Sequence, residues 1–142
     1  MEPRVSLVTL GVADLHRARE FYETLGWVGQ EVEETVFIQA GCMALVLWDR
    51  RRLAADTNID AGPGGFGGIV LAHNVRSTRE VDEVMAEAEA AGATVTKAAA
   101  TTFYGGYAGY FTDPDGHAWE IAHNPGFLLS ADGSLTIPDL GK

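Results

Sequence analysis

Two stretches of sequence decide the fold. The first is Val12-Ala-Asp-Leu-His-Arg-Ala-Arg-Glu-Phe-Tyr-Glu-Thr-Leu-Gly26, which follows the β-branched run Val5–Leu10. Asp14 is a good helix N-cap, apolar side chains then recur at helical spacing, and Gly26 suits the position just past a helix C-terminus. The stretch predicts a strand that leads into an amphipathic helix, and the Val-, Phe- and Leu-rich runs after it predict three more strands.

The second stretch closes a repeat of this plan. It is Tyr110-Phe-Thr-Asp-Pro-Asp-Gly-His-Ala-Trp-Glu120, in which Asp113–Gly116 has the residues of a tight turn between two strands. Earlier in this half, the apolar run at 68–75 precedes Ser77-Thr-Arg-Glu80, a capping box that predicts a second helix. The halves superpose at an offset of 63 residues, so the sequence predicts strand–helix–three strands, written twice.

A glycine-rich segment, Ala61-Gly-Pro-Gly-Gly-Phe-Gly67, separates the halves and predicts a linker. It lacks the Lys and Ser/Thr of a phosphate-binding loop, and a strand rather than a helix follows it. Near the C-terminus, Asp132-Gly133 between apolar stretches is typical of a small hairpin. The predicted organisation is a first module at 1–60, a linker at 61–67, a second module at 68–125 and a tail at 126–142.

Composition and charge exclude several classes of protein. The 142 residues are 46% hydrophobic and 21% charged, as in a globular domain, and no apolar run is long enough to span a membrane. The net charge of −10 argues against nucleic acid, whose phosphates require a basic face. A single cysteine, Cys42, rules out a disulfide framework and a multi-cysteine zinc site. With no signal-peptide pattern at the start, this composition predicts a cytoplasmic protein.

The two motifs and the repeat resemble the vicinal oxygen chelate superfamily, which includes glyoxalase I, extradiol dioxygenases and bleomycin-binding proteins. The resemblance covers residues 4–125. It implies an α+β fold of paired βαβββ modules that form a curled mixed sheet around a shared cavity, the glyoxalase-like fold. It also implies a homodimer, because members of this family often complete the cavity across a dimer interface.

The resemblance implies metal-ligand positions as well, and this chain departs from them. Family enzymes usually hold a divalent metal on side chains that face the cavity. Leu7 and Val70 stand at the two positions usually filled by histidine, whereas the carboxylate is kept as Glu120. The strand at 42–48 offers no further donor, and His73 lies an odd three residues beyond Val70, so it faces the other way. One carboxylate does not make a metal site, so neither a metal nor another cofactor is predicted.

Glu120 is the sharpest candidate for chemistry. In an apolar cavity it would act as a general base or pair with a ligand cation; the alternative is a structural carboxylate satisfied by a neighbouring hydroxyl or water. The nearby aromatic side chains offer flat surfaces for a planar or cationic ligand, although core packing is favoured for Trp48 and Tyr110. Asn74 shares the face of Val70 by parity. The residues predicted to line a ligand site are Trp48, Asn74, Phe103, Tyr104, Tyr107 and Glu120.

The sequence therefore favours a dimeric small-molecule binder that lacks the standard metal site and sequesters an aromatic or cationic compound. The competing hypothesis is an enzyme, a lyase, isomerase or dioxygenase of glyoxalase type, in which Glu120 acts as base or joins an unorthodox metal site. Metal analysis of the purified protein would separate the two. The one basic run, Arg50–Arg52, is predicted as a solvated loop rather than an anion site.

Overall fold

The computed structural model describes residues 1, 3, 5–67 and 69–139. The predicted start of the second module at Gly68 and the end of the tail at 140–142 lie outside the described residues. In chain order the elements are β1 (Leu7–Val12), α1 (Leu15–Thr24), β2 (Gly29–Val32), β3 (Thr35–Ala40), β4 (Met43–Asp49), α2 (Arg50–Thr57), β5 (Val70–Asn74), α3 (Thr78–Ala90), β6 (Thr94–Thr101), β7 (Tyr107–Thr112) and β8 (Ala118–His123).

The chain divides into two compact units. The first unit comprises Met1–Gly67 and Pro114–His117, and the second contains the other described residues. Each unit holds one open four-stranded mixed sheet, in the order β1-β4-β3-β2 or β5-β8-β7-β6. The first and last strands of each unit pair in parallel, and the remaining pairs are antiparallel. The predicted α+β class is confirmed, with two open sheets as its form.

Local signals set the helix of the first unit. The Asp14 carboxylate accepts a hydrogen bond from Arg17 N at 3.0 Å, as its N-cap position predicts. Helix α1 then buries Ala18, Phe21 and Tyr22. It ends before Gly26, whose φ of +88° is the left-handed conformation that suits glycine after a helix.

The turn at 114–117 also belongs to the first unit and meets the start of α1. Asp115 Oδ1 accepts hydrogen bonds from Ala13 N at 2.8 Å and from Arg17 Nη2 at 3.2 Å. The Asp115 side chain is only 5% exposed. His117 Nε2 lies 2.8 Å from the carbonyl oxygen of Gly11. The acidic residue of this turn therefore satisfies a backbone donor next to a helix N-terminus, where such donors lack helical partners.

Helix α2 corrects the prediction of a loop at Arg50–Arg52, which form its first turn. Asp49 caps the helix by accepting from Arg52 N at 2.9 Å. None of the eight residues of α2 is buried. The segment therefore lacks the apolar stripe by which a sequence usually indicates a helix. Arg52 pairs with Glu34, and Arg50 donates to the carbonyl oxygen of Ala61, so the protein itself engages two of the three arginines.

The helix of the second unit follows the same logic. Ser77 Oγ accepts from Glu80 N at 3.1 Å, while the Glu80 carboxylate accepts from Arg76 N at 2.8 Å, one residue before the usual capping-box partner. Helix α3 buries Val81, Met85 and Ala88 against the sheet. The absent side chain of Gly109 makes room for this contact, because a Cβ there would stand 2.9 Å from Met85 Cε.

The tail adds one antiparallel bridge, between Leu129 and Leu135. Arg76 Nη2 donates to the carbonyl oxygen of Ser130 at 2.8 Å and so ties the tail to the start of α3. Of the helices in the described part of the chain, none combines the length and the apolar character that a membrane crossing requires.

Candidate functional site

Three polar side chains form a row across the second sheet. Lys97 pairs with Tyr110, and Tyr110 pairs with Glu120, so the three side chains lie on one face of neighbouring strands. Gly109 precedes Tyr110 and faces Met85 of α3. Because successive residues of a strand alternate in direction, the row of Lys97, Tyr110 and Glu120, here called the polar row, faces away from α3.

Direct contacts link the members of the polar row. Tyr110 Oη donates a hydrogen bond to Glu120 Oε2 at 2.8 Å, and Lys97 Nζ lies 5.9 Å from the centroid of the Tyr110 ring. The hydrogen bond to Glu120, with smaller contributions from burial and from the Glu120 charge, raises the pKa of Tyr110 to about 12. The phenol is therefore a stable donor at neutral pH. The hydroxyl beside Glu120 is the kind of partner that a structural carboxylate requires.

Beside the polar row, a cavity of about 180 Å³ opens between β6, β7 and the loop that joins them. Its walls combine a lysine, three aromatic rings, two hydroxyl groups and two small apolar side chains. The lining residues are Lys97, Ala100, Thr101, Thr102, Phe103, Tyr104, Ala108 and Tyr110. This space, here called the loop cavity, brings the predicted ligand residues Phe103 and Tyr104 together with two members of the polar row.

The loop between β6 and β7 is held in one shape by its own hydrogen bonds. Thr102 N donates to Gly106 O, and Gly106 N donates to Thr102 Oγ1, both at 2.9 Å. The rings of Phe103 and Tyr104 meet edge to face, with centroids 5.2 Å apart. A Cβ at Gly106 would stand 2.7 Å from Tyr104 Cε2. The Tyr104 ring therefore packs against the backbone of its own loop, in the space that the missing side chain of Gly106 leaves.

The structure separates Tyr107 from the other predicted ligand residues. Its hydroxyl donates to Asp82 Oδ1 of α3 at 2.7 Å, and this hydrogen bond raises the pKa of Tyr107. An odd spacing from Tyr110 places Tyr107 on the helix side of the sheet. It therefore does not line the loop cavity, and its predicted part in ligand binding stays a prediction.

Three further predicted residues also lie outside the loop cavity. Glu120 belongs to the polar row and contacts the cavity-lining Tyr110 without lining the cavity itself. Asn74 is half-buried on β5 and pairs with Ala122, so it shares the face of Glu120 without lining the cavity. Trp48 is half-buried on β4 of the first unit. Their predicted part in ligand binding stays a prediction.

The residues at the family's metal positions do not fit a divalent ion. Val70 lies on the same face as Glu120, two residues before Ala72, which pairs with Glu120, but it is an exposed hydrocarbon. Leu7 is equally exposed at the start of β1 in the first unit. His73 pairs with Ile121 on the opposite face, as its spacing predicts. Among the described residues, no group of three His, Cys, Asp or Glu side chains is placed to hold a metal.

Sequence reasoning missed Lys97 and undervalued Tyr110. The signal for Tyr110 is its register with Glu120, which depends on a loop of five residues, 113–117, between β7 and β8. A four-residue loop would pair Tyr110 with Trp119 instead, and a slip of one residue changes the face of every partner. Lys97 lies between two irregularities in the ladder of β6 and β7, so counting by twos along β6 does not find it.

Comparisons with known proteins agree with this fold. A glyoxalase-related enzyme from Fulvimarina pelagi is 38% identical, with a TM-score of 0.85 over 94% of this chain and 97% of its own. A lactoylglutathione lyase from Agrobacterium tumefaciens is 25% identical, with a TM-score of 0.66 over 87% of this chain and 96% of its own. A glyoxalase/bleomycin resistance protein/dioxygenase family enzyme from Burkholderia phytofirmans PsJN, 21% identical, shares the fold with a TM-score of 0.72 over 83% and 96%.

Family membership follows from the sequence as well as from the fold. No curated protein matches the chain at a significant level. The profile described as Glyoxalase/Bleomycin resistance protein/Dioxygenase superfamily, however, matches residues 4–121. That match includes both motifs that decide the fold, from Val12 to Gly26 and from Tyr110 to Glu120. The chain belongs to the glyoxalase/bleomycin resistance protein/dioxygenase superfamily.

Proposed function

We propose that this protein binds a small aromatic molecule in the loop cavity without the help of a metal ion. The observation that carries the proposal is the cavity wall itself, where Phe103, Tyr104 and Tyr110 line a space of about 180 Å³ that opens to solvent. An apolar cavity of about 150 Å³ is large enough to hold benzene, so a single-ring ligand fits. Rings packed edge to face or offset contribute about 0.5–1.5 kcal/mol beyond their buried area.

The exposure of the aromatic loop supports the same function. Phe103 is fully exposed and Tyr104 is half-exposed, although both rings are apolar. The hydrogen bonds between Thr102 and Gly106 close the backbone of the loop that carries Phe103 and Tyr104 without a ligand. A preorganised aromatic surface loses little conformational entropy when a ligand binds, which favours affinity.

The donor set supports binding without a metal. Leu7 and Val70 supply hydrocarbon where the family usually supplies imidazole, and one Glu120 oxygen accepts from Tyr110. A hard or borderline divalent ion requires several converging oxygen or nitrogen donors. No chemical step through a metal is therefore proposed.

Two exposed phenylalanines provide the test. Phe103 lines the loop cavity, whereas Phe66 is exposed in the glycine-rich linker. Benzamide, a neutral single-ring probe, is titrated into each variant and followed by amide chemical shifts. We expect Phe103→Ala to weaken binding about fivefold to tenfold, the loss of one ring–ring contact, and Phe66→Ala to leave it unchanged. Equal affinity in both variants, or no binding to the unaltered protein, would reject the loop cavity as the site.

The hydrogen-bonded pair of Tyr110 and Glu120 favours a second candidate, an acid–base enzyme of glyoxalase type. Glu120 would accept a proton from the substrate, and the Tyr110 hydroxyl, which donates to Glu120 Oε2 beforehand, would then turn its proton to the negative charge left on the substrate. The likeness to a lactoylglutathione lyase makes lactoylglutathione the first substrate to assay. Turnover that survives chelation and is lost in Glu120→Gln would favour this enzyme over a binding protein.

We further propose a homodimer in a reducing, cytoplasmic setting. Each open sheet has two edge strands, β1 and β2 in the first unit and β5 and β6 in the second, and edge strands with exposed apolar residues such as Val32 favour association. Light scattering at micromolar concentration should give twice the mass of one chain, and a monomer would contradict the proposal. Cell fractionation tests the compartment.

A further inference from the structure

We infer that the ligand of the loop cavity carries an anionic group, such as a carboxylate, beside its aromatic ring, and that Lys97 selects this group. The inference rests on the proposed function, because it names the ligand class of the same site. Lys97 is the one cationic residue among those that line the cavity. A cationic ligand, which the sequence alone also allows, would be repelled there.

Lys97 is available to a ligand. Among the described residues it takes part in no ion pair, and its contact with the protein is a distance of 5.9 Å from Nζ to the Tyr110 ring centroid. That distance is near the limit of about 6 Å for a cation–π contact, so the ring positions the ammonium weakly. By contrast, Arg79 pairs with Glu83 and Arg76 donates to Ser130 in the same unit.

The ladder around Lys97 shows how the sheet directs this residue. The register between β6 and β7 shifts between Val95 and Lys97 and again between Lys97 and Ala100. An extra residue in one strand re-aims the side chains next to it, and such irregularities are common beside binding sites. Two of them flank the lysine that contacts Tyr110 at the cavity wall, which places its charge on the cavity side of an edge strand.

Tyr110 lies between Lys97 and Glu120 in the polar row. Lys97 and Glu120 lie on the strands either side of β7, so two strand spacings of about 4.8 Å separate their backbones. Glu120 Oε2 accepts a hydrogen bond from Tyr110 Oη at 2.8 Å, and Tyr110 stays protonated at neutral pH. The ring therefore acts as a neutral spacer, and a bound carboxylate would supply the counter-charge that Lys97 lacks.

Three probes with one ring test the inference: benzoate, benzamide and benzylamine carry a negative, a neutral and a positive group. We expect benzoate to bind about tenfold more tightly than benzamide at low salt, and benzylamine to bind most weakly. The preference for benzoate should shrink as salt is added, because Lys97 is exposed to solvent. Lys97→Met should abolish the preference, and Lys97→Arg should keep it.

Arg79→Met is the matched control, since it removes a positive charge from an exposed side chain of the same unit, away from the cavity lining. It should leave the preference for benzoate unchanged, and an unchanged thermal midpoint shows that each variant folds. If benzylamine binds as tightly as benzoate, or if Lys97→Met keeps the preference, the inference is wrong and binding of an aromatic ligand stands. If none of the three probes binds, both the inference and the proposed function are wrong.

Discussion

The two sheets of this protein share a plan and differ in the chemistry of one row. The offset of 63 residues maps Thr9 onto Ala72, and each begins a row of paired residues that crosses its sheet. The row is Ala72, Glu120, Tyr110 and Lys97 in the second unit, and Thr9, Val46, Phe37 and Gln30 in the first. The repeat therefore fixes where these side chains lie, and the residue types decide whether the place is a site.

The contrast is sharpest at the centre of each row. Val46 is 4% exposed and Phe37 has no hydroxyl, so the first unit holds hydrocarbon where the second holds a carboxylate and its phenol donor. A buried charge requires a partner, whereas a buried valine requires none. Tyr110 supplies Glu120 with a hydrogen-bond donor, and the first unit has neither a carboxylate nor a phenol at the matching positions.

Putting a carboxylate into the first row should have the largest effect. Val46→Glu buries a charge that no hydroxyl satisfies, and we expect it to lower the free energy of unfolding by about 3–5 kcal/mol. Adding Phe37→Tyr supplies the donor found at the matching position of the second unit and should restore about 1 kcal/mol. Urea unfolding measures both effects. Gln30→Glu, in the same row but exposed, is the control and should stay within about 0.5 kcal/mol of the parent.

The loops that precede the third strand of each unit differ in the same way. In the first unit, β2 and β3 are joined by Glu33 and Glu34, which have φ values of +48° and +60°. In the second unit, a longer loop carries the aromatic pair, and Gly106 packs against Tyr104. The turn of the first unit holds residues in a strained backbone conformation, whereas aromatic rings fill the loop of the second unit. Substitutions should therefore raise the free energy of unfolding at the first turn and lower it at the second loop.

Gly106→Ala should destabilise the second unit by about 1–3 kcal/mol, the range for overpacking. The new Cβ would stand 2.7 Å from Tyr104 Cε2 and 3.0 Å from the carbonyl oxygen of His123. The ring can move, but the backbone carbonyl is held in the sheet, so benzamide binding should weaken along with stability. Gly67→Ala is the control, because a Cβ there meets nothing within 4 Å. Equal stability of the two variants would contradict the packing role of Gly106.

Replacing Glu33-Glu34 by Asn-Gly should stabilise the first unit by about 1–2 kcal/mol. Two-residue hairpin turns with positive φ at both positions prefer this sequence, and glutamate pays a steric penalty there. The exposed ion pair of Glu34 with Arg52 would be lost, but such pairs contribute little. We expect a higher urea midpoint of unfolding, with an unchanged dependence of the free energy of unfolding on urea concentration. A lower midpoint would mean that the lost ion pair outweighs the relieved backbone strain.

How much of this structure is predictable depends on whether a signal is local. The caps at Asp14 and Ser77 and the buried apolar stripes indicate helices α1 and α3 in the sequence, and both helices were predicted. Helix α2 has a cap at Asp49 but buries none of its residues, so no periodic pattern marks it. The family motifs predict the two-module fold, which local patterns alone do not specify.

The candidate site was predictable where composition alone points to function. The loop that carries Phe103 and Tyr104 was predicted as part of a ligand site because aromatic residues lie beside glycines, and both residues line the loop cavity. Tyr107 belongs to the same run, yet it turns to Asp82, since strand parity and not composition decides its face. Lys97 and the partner of Glu120 depend on register and ladder irregularities, which a single sequence does not reveal.

The smallest expected effect is a pH dependence of the free energy of unfolding, which the row with Tyr110 and Glu120 causes and the matching row of the first unit does not. Glu120 raises the pKa of Tyr110 to about 12, whereas a tyrosine in the unfolded chain ionises near its ordinary value of about 10. The folded state therefore keeps a proton that the unfolded state loses. This contribution is fully present below about pH 10, and it is lost as the pH rises through about 12.

Over that interval the free energy of unfolding should fall more steeply in the parent than in Tyr110→Phe. Tyr107 titrates in both proteins, so their difference isolates Tyr110.

Glu120→Gln keeps an acceptor for the hydroxyl but removes the charge, and tyrosinate absorbance should then show Tyr110 ionising at a lower pH with folding at pH 7 nearly intact. Phe37→Tyr adds a phenol beside Val46, with no carboxylate at the paired position, and should show no such shift. Parallel pH curves for the parent and Tyr110→Phe would mean that the hydrogen bond to Glu120 does not persist in solution, and the polar row would then lose its central contact.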